Sequence, residues 1–252
     1  MSERRSKFFG LVVFLVLIIG FSYLMITGSK ASLKEVYNQI EVTENTLLPA
    51  KEYLRYAGLS DSTKYENLTL LEVKTKIEKH PYLRKAEVEF DGVNKILVEV
   101  QEKEIKAALL QKNELKLLTG DLETLPLFPP TVIEELPVIS NLNSIKKISH
   151  SKENILFAFR IIDAISLSDT SVRKNLAEIN IRRGGDAILT FSGFKFPVLF
   201  GKGDEVRKAL VLKDLWQQLS NNENPFEKTD YLDLRYKNKV FIGKSKTDLA
   251  NR

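Results

Sequence analysis

From Phe8 to Ser29 the chain runs 22 residues without a charge, FFGLVVFLVLIIGFSYLMITGS. At a helical rise of 1.5 Å per residue this run covers roughly 33 Å, enough for a hydrocarbon core of about 30 Å. A soluble helix would carry a polar face, and this one has none. A secretory signal has an apolar core of about 7–15 residues, well short of this run, so an uncleaved anchor is expected. Arg4, Arg5 and Lys7 precede the run directly, while Lys30, Lys34 and Glu35 are the charges nearest its other end. That asymmetry predicts a cytoplasmic N-terminus, and Tyr23 sits where an interfacial aromatic belongs. Residues 1–7 then form a cytoplasmic tail and 8–29 a single transmembrane helix. The bulk of the chain lies outside the cytoplasm, in the type II orientation.

The remainder has the composition of a folded body. Hydrophobic residues make up 43% and charged residues 28%, with the signs mixed along the chain. Net charge is +5, of which Glu3, Arg4, Arg5 and Lys7 contribute +2, leaving +3 for residues 30–252. So small an excess is no nucleic-acid footprint. The absence of cysteine removes disulfides, thiolate metal sites and cysteine nucleophiles together.

Residues 30–105 read as a small first domain. Val36, Ile40 and Val42 alternate with polar residues over Glu35–Thr43, as in a half-buried strand. Leu48-Pro49 opens a helix with Ala50, Tyr53, Leu54 and Ala57 on one side, and Gly58 ends it. Thr69 and Glu72 form a capping box, followed by Leu70, Val73 and Ile77 at helical spacing; His80-Pro81 stops that helix. Ala86, Val88 and Phe90 alternate with glutamates, a turn follows from Asp91-Gly92 through Asn94, and Ile96, Val98 and Val100 alternate in turn. The order is β-α-α-β-β.

Residues 106–243 read as a second domain, a mixed sheet with flanking helices, so the fold class is α+β. Two short strands, Ala107–Gln111 and Leu115–Thr119, are joined by a turn, and Leu136–Ile139 forms another. Ser151 is expected to cap a helix in which Ile155, Phe159, Ile162 and Ile165 share a face. Strands are expected at Glu178–Arg183, Ala187–Phe191 and Phe196–Phe200. Asp204 then caps a helix lined by Ala209, Leu212, Trp216 and Leu219. A closing hairpin, Tyr231–Tyr236 with Lys239–Gly243, turns at Lys237-Asn238, and residues 244–252 form a polar tail.

No catalytic, metal or cofactor constellation emerges. Gly243-Lys244-Ser245 lacks the glycine that a phosphate loop needs five residues earlier, where Asn238 stands. His80 and His150 are the two histidines and stand 70 residues apart, which gives no support to a metal site or a Ser-His-Asp set. Asp230 and Asp233 fall on opposite faces of a strand. An anchored extracytoplasmic hydrolase is therefore disfavoured. The final strand is the feature of interest, because an outer edge offers unpaired N–H and C=O groups to an incoming strand. Lys237, Lys239 and Lys244 are also the kind of charges that blunt such an edge, and the residues alone leave both readings open. Arg182 and Arg183 are expected one sheet position away.

The segment HPYLRKAEVEFDGVNKILVEVQEKEIKAAL resembles the end of a POTRA domain of FtsQ/DivIB cell-division proteins. Pro81, Tyr82, Ala86, Val88, Ile96, Val98, Val100 and Glu102 occupy the places of that pattern. Further on, PVLFGKGDEVRKAL and YLDLRYKNKVFIG resemble the family's β domain, with Asp233-Leu234-Arg235-Tyr236 the most specific run. KLLTGDLETLPL resembles an early segment of that domain, but Gly120-Asp121 reverses the family's aspartate-glycine order. The resemblance implies a bitopic, non-enzymatic scaffold of the divisome in the cell inner membrane at the septum, without cofactors. It implies that the final strand pairs with the FtsB/FtsL (DivIC) complex, which makes Tyr236, Lys239, Val240, Phe241, Ile242 and Gly243 the partner-binding residues. Tyr236 and Phe241 would be the anchors, and the lysines would suit an acidic partner segment. The alternative is another POTRA-containing envelope assembly or transport factor.

Overall fold

A computed structural model describes residues 13–23, 38–61, 65, 68–111, 113–133, 135–142, 148–220, 229–237 and 239–243. The expected cytoplasmic tail, the polar tail 244–252 and residues 8–12 and 24–29 of the expected anchor lie outside them. Within the apolar run, 13–23 is helix α1, and its large apolar side chains are exposed from Val13 to Tyr23. Among the described residues no helix is long and apolar enough to cross a membrane.

The first unit has the expected order: β1 Gln39–Thr43, α2 Ala50–Tyr56, α3 Leu70–Ile77, β2 Leu83–Phe90 and β3 Lys95–Glu102. Its sheet runs β1-β3-β2, with β1 parallel and β2 antiparallel to β3. Pro49 stands at the N-cap of α2, and the chain turns out of that helix at Gly58 with φ 67°. The capping box of α3 is formed: Thr69 accepts from Glu72 N–H, and the Glu72 side chain accepts from Thr69 N–H. Period-two strands and helical spacing meet in one core of Ile40, Val42, Tyr53, Val73, Ile77, Ala86, Ile96, Val98 and Val100. The Glu102 carboxylate closes the far end of this unit, accepting from the N–H groups of Thr46 and Leu47 and the hydroxyl of Tyr53. Burial first, and then this carboxylate, push the Tyr53 phenol well above its usual pKa.

The second unit is a nine-stranded mixed sheet in the order β12-β11-β10-β9-β8-β7-β4-β5-β6. Its strands are β4 Ile105–Gln111, β5 Glu114–Thr119, β6 Thr124–Pro126, β7 Val138–Ser140, β8 Leu176–Ile181, β9 Ala187–Phe191, β10 Val198–Leu199, β11 Tyr231–Asp233 and β12 Phe241–Gly243. Helices α4 Ile148–Ser168, α5 Thr170–Lys174 and α6 Glu205–Ser220 accompany it. The apolar faces of α4 and α6 share a core with Ile139, Ile179, Leu189, Phe191 and Val198. Several expectations need correction; the strand expected over Glu178–Arg183 is β8 and that over Leu136–Ile139 is β7, each shifted by two residues or fewer at its ends. Ser151 lies inside α4, which is already helical at Ile148. The strand expected over Phe196–Phe200 contracts to β10. The step at Leu125-Pro126, not expected to be extended, is a strand paired to β5.

The two units share more than the chain that joins them. Leu117 of β5 and Leu125 of β6 are buried in the first core, and Leu127, Phe128, Ile133 and Leu136 pack against it. The Tyr82 hydroxyl meets the carbonyl of Pro126 at 2.9 Å and accepts the N–H of Phe128 at 3.1 Å. Around it stand His80, Tyr56 and Phe128, with ring centroids 4.6–6.0 Å apart. His80 is buried there, and burial lowers its pKa to about 4, so the ring is neutral; its Nδ1 accepts the N–H of Tyr82 at 3.2 Å.

Candidate partner-binding edge

The edge at β12 is built by two distant segments that meet. One is the strand-to-helix turn after β10. Gly201 has φ 66°, and a side chain there would collide with Arg235, whose Cγ would lie 2.6 Å from the added carbon. Arg235 therefore crosses directly over Gly201. From the helix that follows, Lys208 turns inward and is 1% exposed. Its ammonium donates to the carbonyls of Phe200 at 2.7 Å and Lys202 at 3.0 Å, and sits 5.0 Å over the Phe200 ring. Burial lowers its pKa, and those two carbonyls compensate the charge. Asp204, expected as an N-cap, precedes α6 with φ 56°; its carbonyl accepts the N–H of Lys208 and its carboxylate pairs with Arg207.

The other segment is Asp233-Leu234-Arg235-Tyr236. Asp233, 4% exposed, accepts from the N–H of Arg235 at 3.0 Å, its Nε at 2.9 Å and its Nη2 at 2.6 Å. This two-pronged pair holds the Asp233 carboxyl below the usual carboxylate range and raises the arginine. It also bends the chain at once, so β11 stops at Asp233 and Tyr236 does not continue the strand. The expected hairpin is thus shorter, with β12 starting at Phe241. Asp230 stands just before β11, and its N–H donates to Gly243.

Register places Tyr231 opposite Gly243, Leu232 opposite Ile242 and Asp233 opposite Phe241. The N–H groups of Leu232 and Leu234 donate towards β10, to Pro197 and Leu199. The groups of Tyr231 and Asp233 therefore face β12, where they meet Gly243 and Phe241. By the same alternation the N–H and C=O of Ile242 point outwards. Among the described residues no strand pairs with that side. Tyr231 lies across Gly243, where an added Cβ would come within 2.1 Å of its ring. Tyr236, though outside the strand, packs edge-on against Phe241 at 4.6 Å. Tyr236 is 52% and Phe241 45% exposed, and Tyr231, Val240 and Ile242 are exposed beside them. Lys237 and Lys239 are exposed on the connecting turn.

The six residues singled out in the sequence are thus brought together on one edge. Arg182 and Arg183 do not join them: they follow β8, which β9, β10 and β11 separate from β12. Sequence reasoning missed the roles of Arg235 and Lys208. The available signal was a lysine one residue before Ala209 in an otherwise apolar helical row. No group of three or more His, Asp or Glu that could hold a metal occurs among the described residues.

Residues 37–103 match the family model described as POTRA domain, FtsQ-type. This span covers the first unit, a little over a quarter of the chain, and supports placing the chain with the FtsQ/DivIB family. No curated protein matches the chain.

Proposed function

From a chain that carries an FtsQ-type POTRA domain and so stands with the FtsQ/DivIB proteins, we propose a non-enzymatic scaffold of bacterial cell division that recruits FtsB/FtsL-like membrane proteins. The POTRA match supports the division role. The observation that carries the recruitment step is the outer side of β12, which no strand among the described residues pairs with, flanked by exposed Tyr236 and Phe241. An incoming strand hydrogen-bonds to Ile242, which fixes its register, while the two rings bury an apolar side chain and Lys237 and Lys239 favour acidic neighbours. Residues 8–29 anchor the protein in the inner membrane with residues 1–7 in the cytoplasm; the apolar side chains of α1, exposed along its length, support this.

Proline at Ile242 tests the recruitment step. It removes the outward N–H and leaves the bonds from Phe241 and Gly243 to β11 in place. Ile242→Pro in the full chain is expected to lose capture of FtsB- and FtsL-like proteins in pull-downs while melting close to wild type. Undiminished capture by the folded variant would place the partner site elsewhere.

A further inference from the structure

The two most exposed large apolar side chains among the described residues of the first unit, Val93 at 77% and Leu71 at 72%, lie at one end of it. Strand β1 starts beside the β2–β3 turn: Gln39 is in register with Lys95, and Asn38 N–H donates to Asn94 at 2.8 Å. The chain therefore enters the unit next to residues 91–94, with Val93 at the tip. Helix α3 reaches β2 through the short connection 78–82, and Glu78 accepts the N–H of Ala86 in mid-strand at 3.0 Å. The helix thus runs back along β2, and its first turn, with Leu71, lies at the same end as Val93. In both places the adjacent carboxylate is folded into its own turn. Asp91 accepts from the N–H groups of Val93 at 2.9 Å and Lys95 at 3.2 Å. Glu72 accepts from the N–H of Thr69 at 2.8 Å and its hydroxyl at 3.0 Å.

We propose that this end of the POTRA domain rests on the bilayer, with Val93 and Leu71 inserted among the lipid headgroups. The inference rests on reading residues 8–29 as the anchor, because that reading fixes which surface lies opposite. Residues 30–38 separate the apolar run from Gln39, a tether of roughly 30 Å at full extension. Two apolar side chains bind lipid weakly on their own, but a short tether makes the contact intramolecular. The contact sets the tilt of the domain, and through the shared core it sets the height of β12 above the membrane.

The chain has no cysteine, so single cysteines report cleanly. Val93→Cys, Leu71→Cys, Leu15→Cys in the anchor and Leu167→Cys, exposed on α4 of the second unit, each receive an environment-sensitive fluorophore in the full chain. Each is reconstituted in phosphatidylcholine–phosphatidylglycerol vesicles with and without a headgroup-attached quencher. Blue-shifted, quenched emission at positions 93 and 71, with neither effect at 167, is the expected result. Emission at 93 and 71 indistinguishable from 167, while position 15 reports burial in lipid, overturns the proposal and leaves the anchor standing. Loss of the lipid signal at position 15 overturns the anchor and the proposal together.

Discussion

The nine-stranded sheet treats its two edges in opposite ways. At β6 the edge is tied to the first unit: Leu125 enters the first core, Pro126 offers no N–H, and its carbonyl meets the Tyr82 hydroxyl. At β12 the described residues leave the outer side unpaired and the apolar side chains beside it exposed. An open edge is a liability that folds ordinarily cover. Among the described residues, then, one edge is tied to the first unit at Pro126 and the other is bordered by exposed rings.

Disrupting the covered edge should be felt first in stability. Tyr82→Ala removes a fully buried ring and the hydroxyl that meets Pro126 and Phe128, and should cost about 3–5 kcal/mol in denaturant unfolding. A variant that melts like wild type would show that the seam contributes little. The same seam should give a pH dependence. Unfolded, His80 takes up a proton near pH 6.5; folded, only near about 4. Its contribution is therefore complete above pH 6.5 and lost as the pH falls from there towards 4, by up to about 3 kcal/mol. Melts of His80→Phe should be flatter over this window than those of wild type, and an equal slope would rule out His80 as the source.

The open edge should respond the other way, in binding more than in folding. Phe241→Ala removes one of two rings in edge-to-face contact and should weaken partner affinity by about 2 kcal/mol, roughly thirtyfold, with unfolding nearly unchanged. A loss of stability matching the loss of binding would make Phe241 a core residue after all. Smallest of all, the pair Lys237→Glu and Lys239→Glu should slow association more than it raises dissociation, by less than about 1 kcal/mol and less still at high salt. Salt-independent kinetics would remove the lysines from the encounter.

Local signals were legible, and long-range ones were not. The Thr69–Glu72 box, the Asp91–Asn94 turn and the period-two strands are written in neighbouring residues, and the β-α-α-β-β order follows from them. Nothing local says that Leu117 and Leu118, adjacent on β5, face two different cores. Both are simply apolar in a strand, and the choice of core is made by elements far away in the chain. The closing hairpin was found, but its length was misjudged: alternation carries on through Tyr236, while the Asp233–Arg235 pair takes the backbone out of the sheet. The register that turns Ile242 outwards depends on β10, and no spacing within Tyr231–Gly243 encodes it.

From β7 to β12 the neighbours in the sheet follow the order of the chain. Each of these strands therefore has its inner neighbour already synthesised, and this side of the sheet is complete only with β12. During synthesis from the N-terminus, the proposed docking surface is made after every other strand among the described residues. A product clipped before Phe241 lacks β12 and, on the proposed recruitment, is expected not to capture the partner. On the proposed recruitment through β12, the order of the strands would act as an inspection step, because this edge is complete only once Phe241–Gly243 have been made.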